Sequence, residues 1–123
     1  MLIVAAILTV AVGLMHSVLG GRYLIAPILK MDGLPVILGS RSRTRLTLKA
    51  GWHAASLTWW GLAGVLVHMQ VVPGGTDAAF LTMVSAVFGL AGLAALILSR
   101  GTHLSWVFFL PVALITGYSA VLS

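Results

Sequence analysis

The 123-residue chain contains no cysteine and no glutamate, and its only acidic residues are Asp32 and Asp77. Without cysteine it can form neither disulfide bonds nor thiolate metal sites, and it has no cysteine nucleophile. Charged residues make up 7% of the chain and hydrophobic residues 60%, whereas soluble domains carry about 25% charged residues. So few polar side chains could not cover a soluble globule, but lipid accepts an apolar surface. The composition therefore predicts an all-α, polytopic membrane protein.

Four predominantly apolar runs are each long enough to cross a bilayer core of about 30 Å as a helix. The predicted helices cover roughly residues 2–19, 46–72, 78–98 and 104–122 of a single domain, 1–123. The last two connections are short, which makes their flanking helices antiparallel; Thr76 or Asp77 is the expected cap of the third helix and Thr102 that of the fourth. We expect an up-down four-helix bundle with the connection 20–45 in the membrane interface.

The basic residues all fall on the side of the membrane reached after the first and third predicted helices. They number seven: Arg22, Lys30, Arg41, Arg43, Arg45, Lys49 and Arg100. By the positive-inside rule this side is cytoplasmic, which places both termini on the non-cytoplasmic side of a bacterial inner membrane. Nucleic acid is not an expected partner, because these charges stay close to the bilayer surface, where anionic lipid competes.

Some of these charges also form a pattern that suits lipid binding. Arg41, Arg45 and Lys49 recur every four residues, so a helix would align them on one face. Together with Arg22 they are candidates to hold anionic lipid head groups. Charges that only set the orientation of the chain would give the same pattern.

Three histidines gather on the cytoplasmic side. His16 and His53 lie at a similar depth, on the order of 6 to 8 Å below the interface, and His103 begins the fourth helix nearer the head groups. Histidines inside a membrane need partners. Three uses are open: a zinc or copper site on His16, His53 and His103; haem b with His16 and His53 as axial ligands; or hydrogen bonds to backbone carbonyls and to hydroxyls such as Ser17, Ser56 and Ser105.

Trp59 and Trp60 lie near the middle of the second predicted helix, beside the face that carries His53. They could help His16 and His53 to bind a flat cofactor, or they could pack against glycine on a neighbouring helix. Small residues for such packing are present on two helices: Gly13 and Gly20 on the first, and Ser85, Gly89 and Gly92 on the third.

Two segments of the chain resemble a known group. His16-Ser17-Val18-Leu19-Gly20 and Trp52-His53, with their flanking residues, resemble segments of small uncharacterised four-helix membrane proteins of bacteria. The likeness covers roughly half of the chain. The resemblance implies that His16 and His53 act together, and it implies no activity.

These patterns predict an accessory or scaffold protein that forms a homo-oligomer or joins a larger membrane complex. Four short helices with glycine faces bury little surface alone, so partners are expected. A metal or ligand site in the cytoplasmic leaflet would be built by His16, His53 and Trp60, with His103 as a possible addition. Two alternatives remain open: an electron-transfer subunit with haem b on His16 and His53 that works with quinone, and a small channel or transporter. The sequence leaves open whether the protein is an enzyme.

Overall fold

The computed structural model describes all residues, Met1–Ser123, and confirms the predicted all-helical class. Its elements are α1 (Leu2–Met15), a π-helical segment (His16–Ile25), α2 (Ala26–Leu29), α3 (Arg41–Val71), α4 (Ala78–Leu98) and α5 (Ser105–Leu122). The first three of these follow one another without a break. They form a 28-residue first rod, Leu2–Leu29.

Three helices are long and apolar enough to cross a membrane: the first rod, α4 and α5. The 31-residue α3 is not among them, because polar residues interrupt its apolar sequence, including Arg41, Arg43, Arg45, Lys49, His53, His68 and Gln70. The surface of the protein is also apolar. Only 21 of the 123 residues are buried, so most large hydrophobic side chains face outward. Lipid suits such a surface and water does not.

The first rod continues past the predicted end of the first helix, residue 19, as far as Leu29. Gly20 and Gly21 do not end it. At the end of the π-helical segment the Ala26 N–H donates to the carbonyl of Gly21, five residues back. Pro27, which has no N–H, stands in the first turn of α2, where none is required. The non-helical connection to α3 therefore covers 30–40 only, rather than the predicted 20–45.

The connection 30–40 folds back onto the start of α3. The Thr44 hydroxyl donates to the Pro35 carbonyl (2.6 Å) and accepts from the Ile37 N–H (3.1 Å). Leu38 and Gly39, with φ angles of 52° and 92°, make the tight turn that reverses the chain. Thr44 is buried, so this anchor is shielded from solvent.

The helices pack in the order α3, first rod, α5 and α4: α1 contacts α3 and α5, and α4 packs along α5. α3 and the first rod are antiparallel, since hydrogen bonds join Leu2 to Gln70 near one end and Leu29 to Arg45 near the other. A buried apolar cluster links α1, α3, α4 and α5, and its most deeply buried large side chains are Leu66, Leu81 and Val112.

The predicted close-contact face of α4 is confirmed. The Ser85 hydroxyl donates to the Ala113 carbonyl of α5 (2.7 Å). A Cβ on Gly92 would lie 2.7 Å from the Leu110 side chain, so only glycine fits there without a shift. Gly89 faces Ala113 at ordinary contact distance. Small residues thus let α4 and α5 approach closely.

The caps of α4 and α5 differ in how well the sequence predicts them. Asp77 caps α4 as predicted, because its carboxylate accepts from the Phe80 N–H (2.9 Å). The prediction that Thr102 caps α5 is wrong: the Thr102 hydroxyl donates to the Ser99 carbonyl (2.7 Å). His103 provides the acceptor instead, as its Nδ1 accepts from the Ser105 N–H (3.3 Å).

Candidate functional site

His16 and Trp52 join the first rod to α3 by exchanging hydrogen bonds. His16 Nε2 donates to the Trp52 carbonyl (3.0 Å), and Trp52 Nε1 donates to the His16 carbonyl (2.9 Å). The two rings stack, with centroids 4.0 Å apart and planes 11° from parallel. Trp59 presents its ring edge-on to His16, at 5.1 Å between centroids. The imidazole of His16 is therefore held by an aromatic ring on each of two sides.

A chain of hydroxyl groups joins the same two helices beside this pair. Ser56, which is 1% exposed, donates to the Gly13 carbonyl (3.0 Å). Ser17 donates to Ser56 Oγ (2.6 Å), and His53 Nδ1 lies 3.0 Å from Ser17 Oγ. Because both hydroxyl protons are already donated, Ser17 must accept from His53, whose ring proton is therefore on Nδ1. His53 therefore does not act as a base toward Ser17.

Glycines of the first rod make room for these α3 side chains. A Cβ on Gly13 would overlap the Trp60 ring, and one on Gly20 would overlap the Trp52 ring. A Cβ on Gly21 would lie 3.2 Å from the His53 ring, which is tighter than most real contacts. We call this interface the seam; it comprises Val10, Gly13, His16, Ser17, Gly20 and Gly21 of the first rod with Trp52, His53, Ser56 and Trp60 of α3.

The two deep tryptophans pack against the first rod and α5. Trp60 Nε1 donates to the Val10 carbonyl (3.3 Å), and the ring covers Gly13. Trp59 lies between His16 and Phe109 of α5, with its centroid 5.5 Å from that of Phe109. This is the packing against glycine and aromatic neighbours that the sequence offered as one of two interpretations.

The histidines divide between the two ends of α3. His16 and His53 both lie in the seam, yet they bond to different partners. His103, in the connection between α4 and α5, shares with His16 and Trp52 a cleft of about 300 Å³. His53 does not line this cleft. His68 lies exposed near the other end of α3.

The structure brings together no complete set of donors for a metal ion. No group of three or more histidine or acidic side chains is placed to hold one. His16 uses Nε2 and His53 uses Nδ1 in hydrogen bonds between helices, which leaves His16 Nδ1 and His53 Nε2 as the ring nitrogens that could bind a metal or a haem iron. The zinc, copper and haem b assignments stay predictions. The contacts favour the third use, in which each imidazole bonds across helices.

The residues predicted to hold lipid head groups collect around the start of α3. Arg41 Nε donates to the Leu34 carbonyl (3.1 Å), and Arg45 Nε donates to the Leu29 carbonyl (2.7 Å). The Arg22 guanidinium lies 5.6 Å from the centre of the Tyr23 ring, and the Lys49 side chain is exposed. Each arginine keeps further N–H groups, so the assignment to lipid stays a prediction.

The fold and the seam together define an all-helical protein with three helices able to cross a membrane and a fourth bonded to the first of them. No protein-family model, curated protein or solved structure matches the chain.

Sequence reasoning missed the role of Trp52. It paired His16 with His53 by depth and gave Trp52 no part in the site, but Trp52 is the direct partner of His16. The signal was Gly20, which lies four residues after His16 on the same helix face and leaves space there for a large ring.

Proposed function

We propose that this chain is a four-span integral protein of the bacterial inner membrane, and that it serves as an accessory or scaffold component of a homo-oligomeric assembly. Its apolar surface and its three membrane-length helices support the membrane placement. The open face of α3 supports the assembly, and it is the observation that carries the proposal.

The fourth span in this proposal is α3. It lies antiparallel along the whole first rod, from Arg45 at Leu29 to Gln70 at Leu2, so it crosses the bilayer wherever the rod does. Its polar groups His53 and Ser56 are bonded within the seam and need no solvation by lipid. At 31 residues α3 is about 46 Å long, longer than the bilayer core of about 30 Å. Its basic first turns therefore reach the head groups.

The proposed orientation places the basic end of the bundle in the cytoplasm. The connection 30–40 and the arginines that hold it lie at this end. The opposite end holds the terminal amine, which donates to Gln70 (3.2 Å), and the turn between α3 and α4. No lysine or arginine lies in that turn or in the first turn of α1. The positive-inside rule then puts both termini outside.

Moving charge between the two ends should change the orientation. Replacing Arg41, Arg43 and Arg45 with glutamine, while introducing arginines at 73–76, is expected to give a mixture of orientations, because the charge bias is then lost. Alkaline phosphatase and green fluorescent protein fused after Ser123 report the side of the terminus. The native chain should give phosphatase activity without fluorescence. The control replaces the same three arginines with lysine and should keep the native orientation. An unchanged orientation of the glutamine variant would contradict the charge argument.

The face of α3 that the first rod does not cover is open, and it carries glycine residues. A Cβ at Gly61 or Gly64 would meet no atom within 4 Å. Beside Gly64 lies an apolar groove of about 330 Å³, bounded by Trp60 and by Val10 of the first rod. Glycines three residues apart on one face let a second helix approach closely in lipid. A second copy of this chain fits, since the same face on both copies can pair about a two-fold axis.

Cross-linking tests this assembly without background, because the native chain has no cysteine. Gly61→Cys should form a disulfide-linked dimer in native membranes on mild oxidation. The control is Leu114→Cys, at a residue of α5 that is 74% exposed, which should stay monomeric because this face meets lipid. Equal cross-linking of the two variants, or none at Gly61→Cys, would contradict the proposed contact.

A further inference from the structure

The cleft shared by His16, Trp52 and His103 lies beside the seam and has no role in the proposed assembly. It measures about 300 Å³ and lies between the first rod and the connection from α4 to α5. Its apolar lining comprises Met15, Leu19, Leu24, Leu104 and the Trp52 ring. This volume lies at the lower end of the range for small-molecule sites, about 300 to 1,000 Å³, so the cleft suits one ring or a short chain segment.

The hydrogen bonds of the two histidines fix which ring atoms remain free. His16 donates through Nε2 to a carbonyl, so its Nδ1 carries a lone pair, and no protein group bonds to it. His103 Nδ1 accepts from the Ser105 N–H (3.3 Å) and lies 2.8 Å from Ser105 Oγ, whose hydroxyl can donate to the same nitrogen. An acceptor Nδ1 puts the ring proton on Nε2, and no protein group accepts from Nε2. The cleft is therefore lined by one residue with a free acceptor and one with a free donor.

We propose that this cleft binds an apolar molecule that ends in a hydroxyl group. A hydroxyl both donates and accepts, so it matches both free ring atoms, the acceptor His16 Nδ1 and the donor His103 Nε2, while its apolar body lies against the leucines. The hydroxyl belongs to a quinol or to a lipid alcohol, two sources of the same chemistry. A quinone carbonyl accepts only, so it satisfies His103 and leaves His16 without a partner. The inference rests on the proposed membrane placement, which brings such molecules to the cleft.

Binding can be measured with purified full-length protein in detergent solution, by calorimetric titration under argon. The probes are decylubiquinol, decylubiquinone and dodecanol. Quinol or dodecanol should bind, and quinone should bind about fivefold to tenfold more weakly than quinol, because one hydrogen bond is lost. Whichever of decylubiquinol and dodecanol binds more tightly shows whether the hydroxyl belongs to a quinol or to a lipid alcohol. Quinone that binds as well as quinol would overturn the proposal.

Two variants act on the cleft by different means. His103→Ala removes the donor and should weaken quinol binding about fivefold to tenfold. Leu24→Trp leaves both histidines intact and fills the cleft, so binding should fall by at least about tenfold. The matched controls are His68→Ala, at the other end of α3, and Leu114→Trp, on the exposed face of α5; both should bind as the native protein does.

The outcomes separate this proposal from the membrane placement. If the protein stays in the membrane fraction under alkaline carbonate and no probe binds, the cleft proposal alone is wrong. If carbonate extracts the protein, the membrane placement is wrong and the cleft proposal is wrong with it. Unchanged binding in both His103→Ala and Leu24→Trp would show that the probes bind elsewhere and would overturn the assignment to this cleft.

Discussion

Trp52→Ala is expected to lower the free energy of unfolding by about 3 kcal/mol. The substitution removes the stacked contact with His16, the hydrogen bond to the His16 carbonyl and the ring that fills the space beside Gly20. Aromatic pairs contribute about 1 kcal/mol and interhelical hydrogen bonds in membranes about 0.6 to 1.7 kcal/mol, and the cavity accounts for the rest. Reversible unfolding in mixed detergent micelles, followed by far-ultraviolet circular dichroism, measures the change.

The control for Trp52 is the same substitution at Trp106. Trp106 donates to the Gly101 carbonyl, only five residues away, and joins no second helix through that bond. Trp106→Ala should therefore cost about 1 kcal/mol. If the two variants lost the same stability, the exchange between His16 and Trp52 would have no special part in holding α3.

Gly20→Leu is expected to destabilise the protein by about 3 kcal/mol and to separate α3 from the first rod at this level. Even the Cβ of the new side chain would overlap the Trp52 ring. That ring has little freedom to move, since it stacks on His16 and donates to its carbonyl. The same unfolding measurement gives the energy, and tryptophan fluorescence reports the change around the ring.

The matched control is Gly51→Leu, which makes the same substitution next to Trp52 on α3. A Cβ on Gly51 meets no atom within 4 Å, so the new side chain extends into open space. Leucine also has the higher helix propensity, by about 1 kcal/mol, so this variant should be as stable as the native protein or more stable. Destabilisation by Gly51→Leu as large as that by Gly20→Leu would mean that the contact with Trp52 is not the cause.

The parts of the fold that depend on local sequence were predictable. The bounds of α4 agree with the predicted 78–98, because an apolar run between Asp77 and a short polar turn leaves few alternatives. The small-residue face of α4 was also predictable, since Ser85, Gly89 and Gly92 recur at helical spacing. Both features follow from composition and periodicity alone.

The end of the first helix was not predictable, because its local signals oppose the observed structure. Gly20, Gly21 and Pro27 are all residues that commonly end helices. In the folded chain Trp52 and His53 pack against the two glycines, and Pro27 stands in the first turn of α2, where its missing N–H is not required. Contacts with a distant helix therefore override the local preference, and a local stretch of sequence does not reveal such contacts.

His16 and His53 of the candidate site were predictable, but Trp52 and the pairing of the side chains were not. The depth expected from the sequence placed His16 and His53 at one level, and both lie in the seam. Depth carries no information on rotation about the helix axis, so it could not distinguish Trp52 from its neighbour His53 as the partner of His16. It also gave no sign that His103 would share a cleft with His16 and not with His53.

The most direct test of the seam is a disulfide between the positions of Ser17 and Ser56. Their hydroxyl oxygens lie 2.6 Å apart, so the two side chains point toward each other across the seam. The double variant Ser17→Cys with Ser56→Cys contains only these two thiols. After unfolding, each free thiol reacts with maleimide-polyethylene glycol, and the resulting shift on a gel gives the number of free thiols. Mild oxidation should leave both thiols unreactive, whereas the control pair Ser17→Cys with Ser85→Cys should keep both reactive. Two reactive thiols in the first pair would show that the first rod and α3 do not meet at this point.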